Sequence, residues 1–154
     1  MEEKKPIKYE KSAGAIIYYN DSKIKFLLLK YKTYWGFAKG WIEQGETIEE
    51  TVKREVFEET GLNELQIDKK FKHIQKWFFR SYEDKSLVRK EAIYLLAKIS
   101  KEQASHVKIS IEHEDFIWLE YEEALKKMKV KQNKEMLKKA YDYIKKLEVQ
   151  QKIL

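Results

Sequence analysis

Gly40 to Leu62 reads GWIEQGETIEETVKREVFEETGL, and the rest of the chain is best read outward from it. Thr47-Ile48-Glu49-Glu50 has the spacing of a capping box. In such a box the Thr47 hydroxyl accepts from the Glu50 amide, while the Glu50 carboxylate reaches back to the Thr47 amide. Gly61 supplies the left-handed backbone that ends a helix. A helix is therefore predicted between the two signals. At about 100° per residue, with Glu55 set at zero, Glu58 falls at about −60° and Glu59 at about +40°. Val52 and Val56 fall at about +60° and about +100°, forming the adjacent apolar stripe. The three carboxylates share one sector that borders the core.

Carboxylates this close repel, and each raises its neighbour's pKa. Two readings of the cluster stand side by side. One is a divalent cation, since oxygen ligands suit the hard ions Mg²⁺ and Mn²⁺. The other is a solvated acidic helix face with Lys53 and Arg54 as counter-charges.

Upstream, Lys11–Tyr19 (KSAGAIIYY) and Ile24–Tyr31 (IKFLLLKY) flank the turn residues Asn20-Asp21-Ser22 and predict a hairpin. Trp35–Gly45 holds Gly36, Gly40 and Gly45, three of the five glycines, and is expected to be a loop. Downstream, Phe71–Tyr82 and Val88–Ile99 read as strands around Asp84-Lys85-Ser86, with a further strand at Phe116–Glu120. Met136, Leu137, Ala140, Tyr141, Ile144 and Leu147 then recur at helical spacing, the docking face of a C-terminal helix. Strands around one central helix, closed by a second, predict an α+β fold: an α/β/α sandwich with a mixed sheet.

The 154 residues are enough for one domain, and with Pro6 the sole proline no linker is legible, so 1–154 is read as a single domain. The absence of cysteine excludes a disulfide scaffold and a thiolate zinc site. The charged start carries no signal-peptide pattern and no run approaches the ~20 apolar residues of a membrane helix. The expectation is a soluble cytoplasmic protein without a membrane partner. The net charge is +6, and Arg54, Arg80 and Arg89 are the only arginines. Lysine lacks the planar fork that reads bases, so no DNA sequence reading is expected. Attraction to anions and a merely solvated basic surface both fit. No cysteine or serine triad is legible around His73, His106 and His113.

The segment also matches the Nudix box: Gly, five residues, Glu, seven residues, then Arg-Glu-apolar-any-Glu-Glu-any-Gly-apolar. The matching positions are Gly40, Glu46, Arg54, Glu55, Val56, Glu58, Glu59, Gly61 and Leu62. The chain therefore resembles the Nudix hydrolases, which cleave a diphosphate linked to another moiety with Mg²⁺ or Mn²⁺, on an α/β/α sandwich of about this length. The resemblance implies that Glu55, Glu58 and Glu59 hold metal, one of them also activating water. It implies that the Gly40 carbonyl joins them and that Arg54 and Glu46 orient the glutamates. Lys39, just before the box, can meet phosphate charge. Water is the implied nucleophile.

Segments outside the box are similar to asymmetrical diadenosine tetraphosphate hydrolases. They are Trp35-Gly36-Phe37-Ala38-Lys39-Gly40, with alanine where those enzymes often have proline, Arg89–Ala97, and Ile111–Leu119 (IEHEDFIWL). The resemblance implies that Glu112 is a further metal ligand or base. It implies that Tyr82 and Phe116 offer aromatic faces to a nucleobase, phenylalanine standing where the subfamily has tyrosine. His113 is either a phosphate contact or a hydrogen-bonded strand-end residue. The implied substrate is diadenosine tetraphosphate, cleaved to ATP and AMP. A triphosphorylated RNA 5′ end and a damaged nucleoside triphosphate are the alternatives of the same chemistry. A catalytically silent module that binds nucleotide or RNA is the alternative of another class.

Overall fold

In strand β1 (Lys8–Asp21), Ala13, Ala15 and Ile17 pack to one side and Ile16 and Tyr18 to the other, and all five are buried. The same division runs through β2 (Lys23–Lys30), where Phe26 and Leu28 oppose Leu27 and Leu29. Side chains alternate across a strand, so near-continuous apolar runs mean that both faces are covered. That is the observed architecture in the computed structural model, which describes residues 7–153.

Among these residues the sheet has seven strands. Besides β1 and β2 they are β3 (Trp35–Gly36), β4 (Ala38–Trp41), β5 (Gln66–Arg80), β6 (Leu87–Lys98) and β7 (Asp115–Glu120). β1 runs parallel to β6, with Lys8 opposite Val88 and Tyr18 opposite Lys98. Its other edge is shared, Ser12–Ala15 pairing antiparallel with β4 and Tyr18–Asp21 with β2. β7 lies antiparallel on β2, and β5 antiparallel on β6. The mixed sheet agrees with expectation.

Helix α1 (Ile48–Thr60) covers one face through Val52 and Val56, above Ala13, Ala15, Leu27 and Ala97. Helix α4 (Lys131–Ile153) covers the other through Met136, Leu137, Ala140 and Ile144, above Ile16, Phe26, Tyr94 and Leu96. Two short helices, α2 (Lys101–Ala104) and α3 (Tyr121–Lys127), complete the order. Trp35–Gly45, expected as a loop, instead contributes β3 and β4. Both are too short to carry a two-residue period, and their pairing with β2 and β1 decides their state. β5 begins five residues before the expected Phe71. A register shift between Asp68 and Lys72 breaks its alternation, which hides the first residues in the sequence.

Candidate active site

The helix starts and stops where its signals stand. The Glu50 amide donates to Thr47 Oγ1 at 3.1 Å, and the Thr47 amide to Glu50 Oε1 at 3.4 Å. Gly61 has φ +76° and donates to the Phe57 carbonyl at 2.8 Å. Between these ends the three glutamates are graded by depth. Glu59 is buried, the Glu55 side chain is 13% exposed and that of Glu58 55%.

Arg54 organises the shallow side. Its Nε donates to Glu46 Oε2 at 2.8 Å and Nη2 to Glu46 Oε1 at 2.9 Å, a two-pronged pair. Nη2 also donates to the Trp41 carbonyl at 2.9 Å. Nη1 reaches Glu55 Oε1 at 2.7 Å and Glu58 Oε2 at 3.3 Å. Glu46 accepts further bonds from the Glu43 amide and the Thr51 hydroxyl. The guanidinium, then the Glu43 amide, hold its carboxyl down at about 2. Burial pushes the Glu55 carboxyl up, against the pull of Arg54. A Cβ on Gly40 would fall inside the Glu55 carboxylate. Glycine there is what lets β4 approach the helix so closely.

Glu59 organises the deep side. Its Oε2 accepts from the Lys39 amide at 3.0 Å, and its Oε1 lies 3.2 Å from His113 Nε2. The loop after α2 brings His113 there: the Lys108 amide donates to the Thr60 carbonyl, Ser110 to Glu59, and Glu114 to Lys30. The His113 ring edge meets Tyr31, with centroids 4.6 Å apart. Both ring nitrogens are buried without an aligned hydrogen bond among the described residues. Burial raises the Glu59 carboxyl, and Glu59 in turn raises His113. Ligand-capable atoms of Glu59, Glu112 and His113 lie within 4.8 Å of one another. Two carboxylates and an imidazole form a donor set that fits a divalent cation. Glu55 and Glu58 turn towards Arg54.

Beside this cluster opens a cleft of about 390 Å³, with Tyr34, Lys39, Gln75, Trp77, Phe78, Phe79, Lys90, Val130 and Asn133 in its walls. Lys39 joins the two: its amide holds Glu59 while its ammonium lies 5.3 Å from the centre of the Trp77 ring. Burial, helped by nearby Lys90, lowers that ammonium to about 8. Tyr82 is outside the cleft, at the β5–β6 turn, 96% exposed with Lys85 over its ring. Phe116 lies opposite Leu29 on β7 and packs into the core beneath α1. Trp77, Tyr34 and Lys90 were not singled out from sequence. The usable signal was the two-residue alternation of β5, which sets Gln75, Trp77 and Phe79 on one face, with Lys90 opposite Trp77.

The NUDIX domain model matches residues 8–140. The chain belongs to the NUDIX domain family. This Nudix hydrolase is 31% identical over 130 residues to the asymmetrical bis(5′-nucleosyl)-tetraphosphatase of Mus musculus, an alignment covering 81% of this chain and 84% of the mouse protein. Among solved structures, a C. elegans Ap4A hydrolase binary complex superposes with a TM-score of 0.74 at 28% identity, covering 88% of this chain and 97% of that one. The RNA pyrophosphohydrolase of Bartonella bacilliformis is 28% identical over 83 residues, 48% of this chain and 47% of the relative. The α+β sandwich is the fold of these Nudix neighbours. No helix among the described residues is long and apolar enough to cross a membrane.

Proposed function

We propose that residues 1–154 form one Nudix domain that hydrolyses diadenosine tetraphosphate to ATP and AMP, using Mg²⁺ or Mn²⁺ and water. The observation that carries this reading is Lys39, whose backbone anchors Glu59 while its side chain stands over Trp77. One residue thus couples a carboxylate cluster to an aromatic, cationic cleft, as cleavage of a phosphate chain next to a nucleobase requires. The mouse and C. elegans relatives support the dinucleotide.

Glu59 and Glu112, with Glu55, Glu58 and the Gly40 carbonyl, would hold the cation, and His113 would orient Glu59. A divalent ion held there offsets phosphate charge and lowers the pKa of a bound water. The chain itself does the rest. Arg54, locked by Glu46, fixes the Glu55 and Glu58 carboxylates. Lys39 and Lys90 attract the phosphates. Trp77 would offer a base-stacking face within the cleft, whereas Tyr82 and Phe116 lie outside it. A triphosphorylated RNA end is the second reading, favoured by the +6 charge and the Bartonella relative.

Glu59→Gln keeps the side chain's shape and removes a ligand charge. Turnover of diadenosine tetraphosphate with saturating Mg²⁺ should fall by orders of magnitude while the melting temperature is retained. Near-normal turnover in that variant would remove Glu59 from the site.

A further inference from the structure

A second cavity, of about 360 Å³, runs along the far side of Tyr34. Lys30, Lys32, Lys126, Lys127 and Lys129 line it, together with Thr33, Tyr34 and Trp35, and no acidic residue does. Lys30 pairs with Glu114 at 3.5 Å and Lys126 with Glu123 at 3.6 Å. Lys32, Lys127 and Lys129 form no ion pair among the described residues, and all three are exposed. Lys127 sits 5.1 Å from the centre of the Trp35 ring, which holds its charge over the groove.

The groove adjoins the site. Tyr34 is a wall of both cavities, and the neighbours Lys129 and Val130 divide between them. Tyr34 stacks on Tyr31 at 4.8 Å, and Tyr31 abuts His113. Carboxylate cluster, aromatic cleft and lysine groove therefore meet around two tyrosines. Three of the five lysines, Lys32, Lys127 and Lys129, lack an acidic partner among the described residues, and their like charges favour an anion in the groove. A phosphate chain running from a nucleotide on Trp77 past Lys39 and Lys90 would meet the groove lysines across Tyr34.

We propose that this groove binds the second nucleotide of a dinucleoside polyphosphate, the lysines receiving the distal phosphates. The inference rests on the dinucleotide reading given above. It makes the groove a determinant of substrate length: the aromatic cleft reads one nucleotide, and the groove distinguishes a bridged pair from a single one.

The test compares the triple variant Lys32→Gln, Lys127→Gln, Lys129→Gln with wild type. KM is measured for diadenosine tetraphosphate and for ATP, and binding of diadenosine tetraphosphate and AMP is titrated without metal. Three exposed charge contacts together predict a roughly three- to 150-fold weaker KM and Kd for the dinucleotide. AMP binding should change less than about twofold, because AMP lacks the long phosphate chain that the groove would receive. A charge-matched control, Lys70→Gln, Lys138→Gln, Lys146→Gln, should behave like wild type, and the three groove lysines changed to arginine should restore dinucleotide affinity. Equal losses for AMP and the dinucleotide, or an equal loss in the control, would mean a general field effect and overturn the groove. So would a triple variant with unchanged dinucleotide KM. A loss confined to a 5′-triphosphorylated RNA oligonucleotide would make the groove an RNA track and overturn it too. Wild type that neither binds nor cleaves diadenosine tetraphosphate sinks the dinucleotide reading itself, a result distinct from all of these.

Discussion

A single missing methyl group sets the geometry of the site. Gly40→Ala drives a Cβ into the Glu55 carboxylate, so β4 or Glu55 must shift. Misplacement of a reacting group by about an ångström costs on the order of 100-fold in rate. Turnover of Gly40→Ala should fall by about that factor while α1 persists by circular dichroism, because both capping-box bonds lie outside the clash. Trp77→Ala removes the proposed stacking face. A base stack contributes ~1–3 kcal/mol, so KM for diadenosine tetraphosphate should rise roughly five- to 150-fold while tripolyphosphate, which has no base, is spared. Equal losses on both would make Trp77 a fold residue. Glu46 carries a pH signature. Its folded pKa of about 2 lies below the ordinary 4.5, so its pairing with Arg54 favours the fold above about pH 4.5 and is lost as pH falls through about 2. The melting-temperature gap between wild type and Glu46→Gln should be constant from pH 8 to about 5 and close below that. A gap that persists unchanged to pH 2 would contradict the pairing.

At the scale of elements, the strongest signals were those with a cap or a long period. α1 was bounded by Thr47 and Gly61, and α4 by its three- and four-residue recurrence, and both form. α3 was not anticipated: seven residues are barely two turns, and its Glu120 N-cap makes no side-chain bond. Its place comes from tertiary packing, since Tyr121 stacks on Tyr141 of α4 with centroids 4.1 Å apart. That contact also shows how α4 is fixed. Ile144 is fully enclosed, whereas Tyr141 is half-buried and held by its ring neighbour. Ile144→Ala should lower the unfolding free energy by ~2–5 kcal/mol in denaturant titration, and Tyr141→Ala by less. If Ile144→Ala leaves stability unchanged, α4 is not docked as described.

The whole molecule turns a local motif into a site through contacts that local spacing does not specify. The box residues run from the end of β4 through one loop into α1, and the grouping of the three helical glutamates was legible from residue spacing alone. Glu112 and His113 reach Glu59 because the loop after α2 is tied by backbone bonds to the end of α1 and to Lys30. Trp77 and Lys90 reach Lys39 because β5 and β6 extend the sheet beyond β1. Tyr82 lies outside the cleft because the hairpin runs past the site and leaves it at the turn. The assembled site joins a carboxylate cluster, an aromatic cleft and a lysine groove, and the proposed function is unequal cleavage of a bridged dinucleotide. Chromatography of the products from diadenosine tetraphosphate, with Mg²⁺ and with chelator, tests that claim most directly. Equimolar ATP and AMP, abolished by chelator, is the predicted result; two equivalents of ADP, or no turnover beside brisk cleavage of triphosphorylated RNA, would contradict it.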